Sequence, residues 1–117
     1  MIATADRTRL APFSAALEEH DGDALLAMYS HDAEVRLSNC ATSMQRPRSI
    51  RGRSSLAHWL FRFCSVDQDV RVVDEVDHGN ELTTIAECRQ DDGSLFVLAI
   101  NTVLVEGLVQ RQFVVLV

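Results

Sequence analysis

Apolar side chains recur with a helical period in the first quarter of the chain. Phe13, Ala16, Leu17 and His20 fall at i, i+3, i+4 and i+7, which predicts a helix over residues 12–20. Pro12 suits its first turn, where a missing N–H loses no helical hydrogen bond. Gly22 breaks the period, Asp23 is placed to cap a second helix, and Leu25, Met28 and Tyr29 form its shorter stripe. Two helices therefore meet at an elbow. From Ala33 to Leu37 the period shortens to two, the signature of a short strand, and residues 39–54 read as loop. Leu56, Trp59, Leu60, Phe63 and Cys64 restore the helical spacing, so a third helix is expected to start near residues 53–54, just after Gly52.

Beyond residue 69 the pattern is that of strands. "DVRVVDEVDH", "ELTTIAECRQ", "SLFVLAINTVLVE" and "LVQRQFVVLV" are separated by turn residues at Gly79-Asn80, Asp91-Asp92-Gly93 and Gly107, which predicts an antiparallel meander. With helices first and strands last, the class is α+β: three N-terminal helices packed on one face of a curved, mainly antiparallel sheet, in one domain over residues 1–117. Phe96, Leu98 and Ile100 alternate with Leu95, Val97 and Ala99, so neither face of that strand suits water. A homodimer packed through its sheets is the expected outcome.

A chain of 117 residues can bury roughly two-thirds of its unfolded surface, enough for one sizeable core. Its net charge of -6 argues against a nucleic-acid partner, because the composition lacks the basic footprint such sites need and Arg46, Arg48, Arg51 and Arg53 read as a solvated loop rather than a basic patch. The odd set Cys40, Cys64 and Cys88, without a C-x-x-C, fits reduced thiols in a cytoplasm better than a disulfide framework or a zinc site. No run resembles a signal peptide or approaches the ~20 apolar residues of a membrane span, so no membrane partner is expected.

The order helix, "GDALLAMYSHDAEV", loop, "IRGRSSLAHWL" and a four-stranded meander resembles the SnoaL-like and ketosteroid isomerase-like branch of the NTF2-like superfamily, over nearly the whole chain. The resemblance implies a cone-shaped, cystatin-like α+β fold enclosing an apolar pocket, used by different members for isomerisation, cyclisation, dehydration, epoxide hydrolysis or ligand binding. Its motifs specify fold rather than reaction. Laid against the steroid isomerases of that branch, the tyrosine position falls on Phe13, the general-base position on Leu37 and the oxyanion-hole acid on Asn101. A base contributes ~10²–10⁴-fold in rate, so no ketosteroid isomerase activity is expected. The late aspartate of the cyclases and epoxide hydrolases falls on Val114.

The remaining candidates come from patterning. Asn101 interrupts an apolar strand, where its amide must find partners, either in a ligand or in neighbouring side chains. Asp74 shares parity with Val70, Val72 and Val76 and would be a lone carboxylate on an apolar face, a candidate base for enolisation or aldol cyclisation; a bulge turning it to solvent and pairing with an arginine are the commoner outcomes. Gln110, Gln112 and Val114 alternate along the last strand and are candidates for the pocket, with an exposed sheet face or a dimer interface the competing account for the two glutamines. Trp59 and Phe63 are candidates for the wall or lid, with ordinary core packing the competing account, and Tyr29 is a candidate to turn its hydroxyl inward, with anchoring of the second helix the alternative. His20, His31, His58 and His78 lack metal-ligand spacing, and no cofactor is implied. Cys40 or Cys64 beside a histidine would make a nucleophile, though nothing in the spacing brings them together. Lined by Phe13, Leu37, Trp59, Asn101 and Gln112, such a pocket suits a small, mainly apolar, uncharged ligand with one carbonyl or hydroxyl. An active isomerase or cyclase using Asp74 or a histidine, and a dimeric interaction module with a filled core, are the alternatives.

Overall fold

The structure, a computed structural model, describes residues 11–39 and 48–117. Its elements run α1 (Pro12–Glu18), α2 (Gly22–Ala27), β1 (Tyr29–Asn39), β2 (Arg48–Arg51), α3 (Arg53–Ser65), β3 (Gln68–Asp77), β4 (Glu81–Gln90), β5 (Leu95–Val105) and β6 (Leu108–Leu116). The strands form one curved sheet in the order β2-β1-β6-β5-β4-β3. Neighbours are antiparallel except β1 and β6, which run parallel. The α+β class and the four-strand meander stand, with two corrections. The third helix is not N-terminal but lies between β2 and β3, and β2 emerges from a stretch that reads as loop. "RSIR" has one buried side chain, Ile50, so no periodicity announces it; pairing with the edge of β1 makes it a strand.

The elbow is built more tightly than expected. α1 closes with a Schellman motif: Asp21 N–H donates to Ala16 O (3.0 Å) and His20 N–H to Leu17 O (3.3 Å), with His20 left-handed at φ 56°. His20 therefore leaves the helix instead of extending its apolar stripe. The same Asp21 caps α2, its Oδ1 accepting from Ala24 N–H at 3.1 Å, so the cap is Asp21 and not Asp23. Gly22 is then the first helical residue. A Cβ there would lie 2.7 Å from ring carbons of Phe61 on α3, so the missing side chain is what lets α2 and α3 approach.

α1 is held to the sheet by two carboxylates. β3 carries a register shift between Val72 and Asp74, a bulge that reverses the facing of the residues beyond it. Glu75 consequently turns towards α1, where it accepts from Ala11 N–H (3.0 Å) and from the Ser14 hydroxyl. The N-cap residue Ala11 offers no side-chain cap, and the strand supplies the acceptor instead. At the other end of α1, Glu18 Oε2 accepts from Val72 N–H at 2.7 Å, beside the bulge.

The core lies between the helices and the inner sheet face. Phe13, Leu17, Leu25, Leu56 and Leu60 pack towards Val35, Val70, Val72, Ala86, Cys88, Ile100 and Val109. No helix among the described residues is long and apolar enough to cross a membrane. A non-glycine residue in the left-handed region costs about 1 kcal/mol. His20→Gly should accordingly raise the thermal midpoint by roughly 4 °C, read by calorimetry; an unchanged midpoint would show that the His20 side chain compensates the strain.

Candidate functional site

Helices and sheet do not fill the space between them: a hollow of about 490 Å³ remains, within the range of small-molecule sites. α1 contributes Phe13 and Leu17, α2 Leu25, and α3 the wall of Trp59, Leu60 and Phe63. The sheet contributes Leu37 from β1, Phe96, Leu98 and Ile100 from β5, and Gln112, Val114 and Leu116 from β6. It reaches solvent beside Ser38, Arg48 and Val66, all on its border. Gln68 and Gln90, also on the border, bond to each other through Gln90 Nε2 and Gln68 Oε1 at 2.7 Å. Among the described residues around the hollow there is no carboxylate and no histidine, and Arg48 is the one cation.

One polar chain runs through this apolar lining. The Tyr29 hydroxyl donates to Gln112 Oε1 (2.6 Å), and Gln112 Nε2 donates to the Thr102 hydroxyl (3.0 Å). All three residues are buried, with Gln112 1% exposed. Phe13 stands edge-on to the Tyr29 ring, 6.4 Å between centroids. Burial pushes the Tyr29 phenol well above its ordinary range, so it stays a neutral hydroxyl even though the Gln112 bond works the other way. Gln112 spends one N–H and one acceptor site within the protein. Its second N–H and second lone pair, with an acceptor position on the Tyr29 oxygen, take no part in these two bonds.

The sequence-derived candidates divide cleanly. Phe13, Tyr29, Leu37, Trp59, Phe63, Gln112 and Val114 border the hollow. Asn101 does not: it pairs with Thr83 and Phe113 on the outer face, its Nδ2 donating to Glu81 Oε1 (3.0 Å) and reaching Thr83 Oγ1 (3.5 Å). The inward position is Thr102, opposite Gln112. The assignment of Asn101 as an inward-facing donor is therefore corrected by one step of strand parity. Asp74 is corrected by the bulge, which leaves it opposite Ile85, away from the hollow. Neither residue can reach a molecule in the hollow as a base or oxyanion donor. Patterning misses Leu25, Ile100 and Leu116 on the border of the hollow, and Thr102 as the buried partner of Gln112; alternate positions counted outward from Gln112 reach Leu116 just as they reach Val114.

Other reactive groups do not gather here. Burial pushes the Cys88 thiol up to about 11, and burial, with a contribution from Asp21, raises Cys64 as well; both stay protonated near neutrality, unlike a nucleophilic thiolate. Cys40 and Arg46 lie outside the described residues. No group of three or more metal-ligating side chains is found among the described residues.

No protein-family profile and no curated protein matches the sequence. Solved structures do match in fold. A candidate ketosteroid isomerase from Kribbella flavida is 18% identical, with a TM-score of 0.73 over 91% of this chain and 73% of its own. A candidate polyketide cyclase from Sinorhizobium meliloti is 16% identical, TM-score 0.70, covering 93% of this chain and 98% of its own. An NTF2-like protein of unknown function from Mesorhizobium loti is 11% identical, TM-score 0.78, covering 90% and 84%. At these identities the likeness is one of fold.

Replacing Gln112 by leucine strands two buried hydroxyls, each costing about 1–3 kcal/mol. Gln112→Leu should therefore lose roughly 2 kcal/mol or more in urea unfolding, and adding Tyr29→Phe with Thr102→Val should restore most of it. A full loss persisting in the triple variant would mean that packing, not hydrogen bonding, sets the cost.

Proposed function

With the NTF2-like fold as its scaffold, we propose that the protein is a SnoaL-like pocket protein that binds a small, mainly apolar molecule of polyketide- or steroid-like build. The observation that carries this reading is an open hollow of about 490 Å³, walled by aromatic and aliphatic side chains and equipped with one satisfied amide chain. A fully packed interaction module would have no use for such a space, and a void without occupant forfeits contacts on every side. Gln112 and Tyr29 supply neutral hydrogen-bonding positions for a carbonyl or hydroxyl. Binding, rather than ketosteroid isomerisation, fits the lining: Phe13 and Leu37 have no proton to give or take, and Asp74 and Asn101 stand outside the hollow. A cytoplasmic setting belongs to this reading, in line with Cys64 and Cys88 standing outside any disulfide.

The working unit in this reading is a homodimer formed through the outer sheet face. Leu95 and Phe113 are 46% and 40% exposed there, beside the half-buried Ile85, Val97, Ala99, Val103 and Val115. These side chains form an apolar face of the kind that meets a second copy. Sedimentation should give twice the chain mass, and Val97→Arg should reduce it to the monomer with helical content unchanged; a wild-type monomer at high concentration would reject the dimer.

The apolar fluorophore N-phenyl-1-naphthylamine should brighten on binding with a stoichiometry of one per chain. Val114→Phe, which fills the hollow, should weaken that binding at least tenfold at unaltered thermal midpoint. Equal affinity in the variant, or no binding to the wild type, would defeat the pocket reading.

A further inference from the structure

The hollow has a polarity along its length. Its deeper lining is neutral, while Arg48 stands at the end that meets solvent. Arg48 is fixed opposite Leu37 by the β1–β2 pairing, and the Leu37 side chain is itself part of the wall. A second, open groove of about 890 Å³ adjoins that end, sharing Leu37, Arg48, Trp59 and Phe63 with the hollow and adding Arg51, His58 and Arg62. No carboxylate among the described residues borders either space. The nearby acid, Glu34, is occupied: its Oε2 lies 2.7 Å from Arg51 and 3.7 Å from Arg36. Among the described residues, Arg48 has no ion-pair partner.

This concentration of positive charge is local and runs against the rest of the molecule, whose net charge is -6. A body of that charge repels anions in general, so a cationic, acid-free mouth on an apolar chamber distinguishes one class of guest. We propose that the ligand is an amphiphilic monoanion: an apolar body seated against Phe13, Trp59 and Ile100, and a carboxylate held at the mouth by Arg48. The planar guanidinium matches a carboxylate with two parallel N–H···O bonds, and a single unpaired arginine neutralises one charge and not two. Arg62 and His58 extend the positive region outward, while Arg51 is largely cancelled by Glu34. The inference rests on the binding reading above and adds the chemical class of the guest.

The test displaces N-phenyl-1-naphthylamine, which is neutral, with decanoate and with its uncharged isostere decanamide at pH 8. Decanoate should compete about tenfold better in the wild type, as a charge-assisted contact predicts. Arg48→Gln should remove that advantage while leaving fluorophore and decanamide affinities within twofold. Arg62→Gln should reduce it less, and 0.5 M salt should narrow it in the wild type because Arg48 is exposed. A ratio near one in the wild type, or a ratio unchanged by Arg48→Gln, would overturn the proposal while leaving the pocket reading intact. Stronger competition by decyl phosphate than by decanoate would overturn the carboxylate assignment. Failure of the fluorophore itself to bind would overturn the pocket reading and this proposal with it.

Discussion

One extra residue in β3, between Val72 and Asp74, is the constraint that fixes the first helix and the wall it gives the site. It frees the Val72 N–H for Glu18 and swings Glu75 beneath the start of α1, so that the first helix is fastened at both ends by carboxylates of opposite origin. A seven-residue helix is too short to persist by propensity alone. Held in place, it carries Phe13 and Leu17 to the hollow; without that anchorage the chamber would lose one wall. The bulge thus sets both the position of a helix and the facing of an acid.

The second organising demand is the burial of an amide. Gln112 at 1% exposure can exist in an apolar core only if its polar ends are met, and they are met by residues from β1 and β5 on either side of β6. Tyr29 is available because β1 begins directly after α2, and Thr102 because it sits opposite Gln112 in the β5–β6 register. A strand slip of one residue would replace Thr102 by Asn101 and break the chain. The polar network therefore fixes register as well as offering a site, a role that aliphatic side chains, being interchangeable, fill poorly.

Much of this is legible in the sequence, and the exceptions have physical causes. The meander can be read because its strands alternate and its turns carry glycine; the cavity-facing Phe13, Trp59 and Phe63 can be read because a helix exposes one stripe. β2 is invisible because four residues with one apolar side chain have no period. The inward reading of Asp74 fails because parity is continuous in a string of letters but not across a bulge, which only pairing with β4 reveals. Asn101 fails for a simpler reason: in "LAINTVL" both faces are apolar, so alternation cannot say which side an amide takes, and the register with β4 and β6 decides. His20 looks helical because the left-handed turn that ends α1 leaves no mark when its residue is not glycine.

Arg48 sits at the mouth of a chamber in a molecule that is otherwise acidic. Far from the surface an approaching anion meets the whole charge; at the mouth it meets Arg48, with Arg62 in the adjoining groove. Ionic strength acts on these two regimes in opposite senses, since screening lowers the distant barrier and also loosens the final contact. For an anionic guest, traffic through such an opening would consequently speed up in both directions as electrolyte is added, arrival because repulsion fades and departure because the grip does.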